Sequence, residues 1–252
     1  MLRFTCIKRL SALVLAAVLF AALPVYAGDL KDGVGMSLTG LSSVTFAGDP
    51  VDGSIFYEAD LTVINIWQRW CGPCWAEMPG FLHLFQHYSA TPEADVQLWG
   101  ALYYDSYTTS TIPEAVDFVQ QNGYNWDHML ICDELIMVAS GGDPEAYYPV
   151  PQTIIVDRYG VVRAQVFGSI TEEDELFELV EHWLDTVRSE YAAGLGDVDG
   201  NGMLTFADVS RLYQYCVGAF ELSPELIFKA DVNGSGSVNF ADVSALYQLM
   251  IL

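Results

Sequence analysis

Residues 61–79 read LTVINIWQRWCGPCWAEMP, and this stretch decides the fold. Leu61 to Trp67 is a nearly continuous run of β-branched and large apolar residues, the pattern of a strand buried on both faces. Cys71 and Cys74 follow at once, and then a helical pattern from about residue 74 to 88, with apolar Phe81, Leu82, Leu84 and Phe85. The pair therefore sits where a buried strand gives way to a helix. Unpaired amides and the macrodipole at a helix N-terminus stabilise a thiolate there. Gly72 lets the backbone turn sharply, and Pro73 suits the first helical turn. Two cysteines at this spacing also serve as half of a metal clip or as a plain staple. No second CxxC or CxxH completes a zinc site, and His83 and His87 lack the Glu of an HExxH motif, so both read as surface residues. Redox chemistry fits the setting best, with Cys71 attacking and Cys74, one helical turn on, closing the disulfide.

Outward from this centre the chain alternates. Residues 96–103 read as a second buried strand, and 112–121 as a helix ended by Asn122-Gly123. Residues 153–156 and 161–167 form a strand pair turning through Asp157 to Gly160, with Cys132 at the end of a further strand. Residues 171–189 are an acidic amphipathic helix. The expected fold is α/β, a mixed sheet flanked by helices, with residues 28 to about 57 an irregular lead-in holding one hairpin. The pattern stops at 191–196, read as a linker between an N-terminal domain, 28–190, and a small domain, 197–252.

The first 27 residues combine basic Arg3, Lys8 and Arg9 with an acid-free apolar run and a Val25-Tyr26-Ala27 end, the form of a cleavable signal peptide. The run is shorter than a membrane span requires, so the expected protein is secreted, with no membrane span after cleavage. This segment holds three of the ten basic residues and none of the 33 acidic ones, so its removal takes the net charge from −23 to −26. Such an excess of acid excludes nucleic acid as a partner and suits cation binding. Four cysteines outside the signal are too few for a disulfide scaffold; Cys132 and Cys216 read as buried free thiols.

The last 56 residues contain a repeat. DVDGNGMLTFADVSRLYQ from Asp197 and DVNGSGSVNFADVSALYQ from Asp231 share 12 of 18 positions at a spacing of 34. Side-chain oxygens fall at loop positions 1, 3, 5, 9 and 12: Asp197, Asp199, Asn201, Thr205 and Asp208, then Asp231, Asn233, Ser235, Asn239 and Asp242. Gly202 and Gly236 at position 6 allow the sharp turn after which Met203 and Ser237 present backbone carbonyls. Six or more oxygens around one centre is what calcium requires, so each copy is expected to hold one ion. Helical sequence follows each loop, but none is expected to abut a loop on its N-terminal side. With so many uncompensated acids, the module is expected to pack only around the cation.

The paired loop–helix repeats with Asp at position 12 resemble a type I dockerin, an all-α module of two F-hand (EF-hand-like) repeats. The resemblance implies docking on a cohesin domain of a scaffolding protein, as in cellulosomes. It places partner contacts at Phe206, Ala207, Tyr213 and Gln214, and at Phe240, Ala241, Tyr247 and Gln248 in the second copy. Phe206 and Phe240 also suit a module core. The known pattern at these positions is small hydroxyl and basic residues, which this chain lacks, and near-identity of the copies implies two binding orientations related by a half-turn. The NIWQRWCGPCWAEMP stretch with Val150-Pro151-Gln152-Thr153 resembles the thioredoxin superfamily, nearest its extracytoplasmic TlpA/ResA-type branch. This implies a redox-active Cys71–Cys74 disulfide, a cis Pro151 that positions client protein thiols or disulfides, and contacts from Trp70, Gly72, Pro73 and Val150. Glu77 stands in the branch's acidic position and is implied to manage the Cys74 proton; cytoplasmic thioredoxins carry an Asp where this chain has Asn65. Together the two resemblances imply a secreted oxidoreductase held on a scaffold at a bacterial cell surface, or a docking protein whose redox domain does not turn over.

Overall fold

The computed structural model describes residues 32–91, 95–104 and 111–251; the signal-like segment lies outside them. Strands β1 (Ser42–Val44) and β2 (Pro50–Asp52) form the lead-in hairpin, followed by a 3-10 turn at Gly53–Glu58. Then come β3 (Leu61–Trp67), α1 (Gly72–Ser89), β4 (Val96–Leu102), α2 (Thr111–Asn122), β5 (Asp127–Leu130), α3 (Asp133–Ala139), β6 (Gln152–Asp157), β7 (Val162–Phe167) and α4 (Glu173–Gly194). Helices α5 (Phe206–Cys216), α6 (Pro224–Ala230) and α7 (Phe240–Ile251) complete the chain. Among the described residues no helix is long and apolar enough to cross a membrane.

The second sheet runs β5-β4-β3-β6-β7, with β3, β4 and β5 parallel and β6 and β7 antiparallel to their neighbours. All seven residues of β3 are buried, as the apolar run requires of a central strand. Its side chains alternate between two cores. Leu61, Val63 and Trp67 pack with α1 and α4 residues such as Met78, Phe81, Leu176 and Val180. Ile64 and Ile66 pack with α3 and with Leu38, Leu41 and Phe56 of the lead-in. Each such side chain, fully withdrawn from water, contributes about 1.5–3 kcal/mol. The hairpin lies along the outer strand: Phe46 N donates to His128 O at 3.3 Å and Ser43 Oγ to Leu130 O at 2.5 Å. That cover shields an exposed edge from pairing with another chain.

Two features depart from expectation. Helix α3 was not expected, because its seven residues are too short to display a helical period. Helices do precede the calcium-type loops. Pro-capped α6 ends at Ala230, directly before Asp231, and α4 runs through residues 191–194 of the stretch read as a linker, leaving Leu195 and Gly196 before Asp197. Cys132 and Cys216 are free and half-buried. His83 and His87 are exposed, His83 pairing with Glu173 at 2.7 Å. Near the C-terminus, α5 and α7 pack over a core of Val198, Leu212, Leu222, Ala230 and Leu246. Leu212 and Leu246 stand 34 residues apart, so the repeat in sequence is also a repeat in packing.

His128 on β5 is buried with its ring between Phe46 and Trp126, each at 5.2 Å, and edge-on to Trp67. Gly100 on β4 is its cross-strand partner, and a Cβ there would fall inside the imidazole. With the ring boxed in by three aromatic neighbours, Gly100→Ala is expected to cost about 1–3 kcal/mol through overpacking. The double variant Gly100→Ala/His128→Ala is expected to lose less than the sum of its parts. Urea unfolding of the four proteins measures that coupling.

Candidate functional site

The head of α1 is built around the cysteines. Cys71 is the N-cap, in extended conformation, and its Sγ accepts the Cys74 amide at 3.1 Å. The sulfur is thus aimed at a free helical N–H, the environment that favours a thiolate once the bond is opened. Pro73 occupies the first turn, where its missing N–H costs nothing. Cys71 and Cys74 are joined in a disulfide, with Cys74 fully buried and Cys71 at the edge. The Val150–Pro151 peptide is cis and lies across from it, with the Cys71 Sγ 3.7 Å from the Val150 carbonyl oxygen. Because β6 pairs antiparallel with β3, the residue before β6 necessarily arrives at the cysteine end of the sheet. The structure therefore brings Cys71, Cys74, Val150 and Pro151 together, while Gly72, Pro73 and Trp70 are exposed around them.

Glu77 lies one turn further into α1 and is buried. Its Oε1 accepts from Asn65 Nδ2 at 2.7 Å and its Oε2 from the Ile170 amide at 3.0 Å. Burial raises its pKa to about 7, against the opposing pull of the two hydrogen bonds. A carboxyl group so placed exchanges its proton near neutrality. Position 65 and position 77 are thus one site: the β3 amide meets the α1 carboxyl.

Sequence reasoning missed what surrounds the disulfide. Arg69 is the one Lys or Arg between Asp32 and Asp157. Its guanidinium sits 5.0, 4.9 and 5.2 Å from the ring centres of Trp70, Trp75 and Phe118, and Trp75 stacks on Phe118 at 5.4 Å. The buried Nε and Nη1 have no hydrogen-bond partner among the described residues; ring faces take that place. Trp70 is 62 % exposed, so a fixed aromatic plate borders the thiol pair. The signal was present as three aromatics and a lone cation, but Phe118 is too distant in sequence to join them by eye.

The two loops of the C-terminal module are nearly superimposable in their bonding. Asp197 accepts the amides of Asn201 and Gly202, and Asp231 those of Ser235 and Gly236. Asp208 accepts from Asp199 N and Thr205 N, and Asp242 from Asn233 N and Asn239 N. Gly202 and Gly236 have φ of 78° and 80°, the left-handed turn that position 6 demands. One carboxylate oxygen from each of Asp197, Asp199 and Asp208 lies within 4.8 Å of the others. In the first loop these converging hard oxygens, with Asp208 fully buried, fit a calcium ion, and Asp242 is fully buried at the matching position of the second. Phe206 and Phe240, which also suited a core, are exposed at 58 % and 51 %. Phe206 meets Tyr247 at 6.0 Å and Tyr213 meets Phe240 at 5.8 Å, a symmetric pair of pairs on the α5–α7 face. Ala207, Gln214, Ala241 and Gln248 are exposed on the same two helices.

Residues 195–250 match the type I dockerin domain family. The N-terminal part is similar to a thiol:disulfide interchange protein DsbE of Haemophilus influenzae, 25 % identical over 128 residues, which are 51 % of this chain and 62 % of that protein. Among solved structures it is similar to a thioredoxin family thiol:disulfide interchange protein from Chlorobium tepidum (TM-score 0.48, 19 % identity, 60 % of this chain and 97 % of that one). It is also similar to a secreted thiol-disulfide isomerase from Corynebacterium glutamicum (TM-score 0.48, 21 % identity, 59 % and 85 %). The mixed sheet flanked by helices, followed by a helical dockerin module, is the fold expected from the sequence.

Glu77 has a stability signature. Its folded pKa lies above the ordinary 4.5, so the folded state holds the proton more tightly. Its contribution is present below pH 4.5 and is lost as pH rises through 7. Relative to the parent chain, Glu77→Gln is therefore expected to gain about 3 kcal/mol between pH 4.5 and pH 8. Paired urea titrations across that range measure the gain.

Proposed function

We propose that this chain is a secreted thiol–disulfide oxidoreductase that docks on a cohesin domain of a scaffolding protein through its calcium-binding C-terminal module. The observation that carries the redox reading is the disulfide at the head of α1, its outer sulfur against Val150 and a near-neutral carboxyl group behind it. In the reducing direction, the Cys71 thiolate attacks a client disulfide. A Cys71–client bond forms, the client S–S bond breaks and one client thiolate leaves. Cys74 then gives its proton to the Glu77 carboxylate and attacks Cys71 Sγ. The Cys71–Cys74 bond forms, the second client thiolate leaves, and two electrons have passed from the dithiol to the client. Run backwards, the same steps oxidise a client dithiol.

The remaining residues take supporting roles in this reading. The Val150 backbone and Pro151 hold the client chain beside the sulfur, and Trp70, Gly72 and Pro73 form the exposed rim it crosses. Asn65 donates to Glu77 and keeps its carboxyl oriented. In the module, Asp197, Asp199, Asn201, Thr205 and Asp208, with the Met203 carbonyl, hold one calcium; Asp231, Asn233, Ser235, Asn239 and Asp242, with the Ser237 carbonyl, hold the second. Bound calcium supplies the positive charge that lets these acids pack together. The α5–α7 face, with its paired aromatics, is the surface offered to the cohesin. Secretion to an extracellular, scaffold-associated position at a bacterial cell surface rests on residues 1–27 and on the dockerin match. A docking protein without redox turnover would have no use for a buried, proton-exchanging Glu77 behind an intact pair.

Reduction of a disulfide-bonded peptide by the full chain is expected to vanish in Cys71→Ser, while Cys74→Ser accumulates the Cys71 mixed disulfide. Glu77→Gln is expected to slow turnover about a hundredfold and to remove the inflection near pH 7 from its pH profile. Turnover that survives Cys71→Ser would overturn the redox reading. Chelation of calcium is expected to abolish capture by recombinant type I cohesins; capture that persists in chelator would overturn the docking reading.

A further inference from the structure

Four consecutive residues at the end of α6 each make a different kind of contact. Phe228 reaches out of its own module: its ring lies 5.5 Å from Tyr57 and 5.2 Å from Tyr159, and the Arg158 guanidinium sits 4.5 Å over it. The Lys229 carbonyl accepts the Gly196 amide at 2.9 Å, and its ammonium lies 3.7 Å from Asp197 Oδ2 of the first loop. Ala230 is fully buried in the module core. Asp231 is the first residue of the second loop, with its carboxylate taking the Ser235 and Gly236 amides at 3.0 and 2.7 Å.

The receiving surface belongs to the N-terminal domain and is braced independently of Phe228. Tyr159 meets Tyr191 edge-on at 5.0 Å, and the Tyr191 hydroxyl accepts the Arg158 amide at 3.2 Å. The Arg158 side chain is anchored on Asp60 at 3.1 Å, and Asp60 is held in turn by Arg188 at 2.8 Å. Tyrosine rings under an arginine clamp make a seat for one aromatic side chain. The connection favours seating as well, since only Leu195 and Gly196 separate the last residue of α4 from Asp197. A Cβ at Gly196 would collide with Leu246 and Leu204, so this joint is packed into the module.

We propose that Tyr57, Arg158, Tyr159 and Tyr191 form an intramolecular docking surface whose occupant is Phe228 of α6, and that its seating is coupled to calcium binding. The inference rests on the calcium reading of the loops. Asp231 is both the end of α6 and the first ligand of the second loop, and Phe228 lies three residues before it, so the ion and the aromatic seat hold the same end of one helix. A ligand that holds a helix in the position the seat requires strengthens the seat, and the seat strengthens the ligand by the same factor.

The test uses the full chain, stripped of metal and titrated with calcium alone by calorimetry, as the parent protein, Tyr57→Ala and Phe228→Ala. Tyr57 is on the N-terminal domain and supplies no ligand, so it reports the coupling even if Phe228→Ala fails to fold its module. Both variants are expected to weaken calcium binding about tenfold. Hydrogen exchange at residues 57 and 158–159 is expected to slow on calcium addition in the parent and not in the variants. Unchanged calcium affinity in Tyr57→Ala would overturn the coupling while leaving the loops as calcium sites. A parent chain that binds no calcium would overturn the site reading and the coupling with it.

Discussion

The structure hangs on β3, a strand with water on neither face and hydrogen-bonded neighbours on both sides. Such a strand tolerates almost no polar atom, and the exceptions on it are informative. Asn65 is kept because the Glu77 carboxyl lies opposite it. At one end of the strand the chain turns into the cysteine-bearing helix. At the other stands Asp60, which orders Arg158 and Arg188. The thiol pair and the seat for α6 are thus opposite ends of one seven-residue rod, roughly 23 Å long at strand rise.

Two buried titratable groups act on stability with opposite sign. His128, packed among aromatics, has its pKa lowered to about 4 by burial. It stabilises the fold fully above its ordinary 6.5, and that contribution is lost as pH falls from there toward 4. Glu77 behaves in reverse, favouring the fold at low pH and losing that contribution as pH rises through 7. Between pH 4.5 and 6.5 each imposes a slope of about 1.4 kcal/mol per pH unit, and the slopes oppose. A buried carboxyl group costs stability at neutral pH, and His128, two strands along on the same face of the sheet, flattens its pH signature.

Much of this was legible in the sequence because it is encoded locally. The seven-residue apolar run announced β3, the cysteine spacing announced the head of α1, and the repeat announced two matched loops with their oxygen-bearing side chains by number. What escaped was non-local or short. The Asn65–Glu77 contact joins a strand to a helix twelve residues on, and nothing in either segment alone requires it. Arg69 finds Phe118 on a helix nearly fifty positions away. Helices α3 and α6 have seven residues each, fewer than two full turns, so no period could be read from them. The missed α6 mattered most, since it carries Phe228 to Tyr57 and Tyr159.

The matched aromatic pairs on α5 and α7 acquire a different meaning once the module is seated rather than tethered. A thiol centre on a flexible leash would sample a volume, and its local concentration near any neighbour would fall with leash length. A seated module has no such volume. If its two faces are interchangeable on a partner surface, a half-turn carries the whole sheet with it, and Cys71 occupies one of two fixed addresses. Reach then becomes a choice between two points, set by the symmetry of two helices and not by the length of a linker.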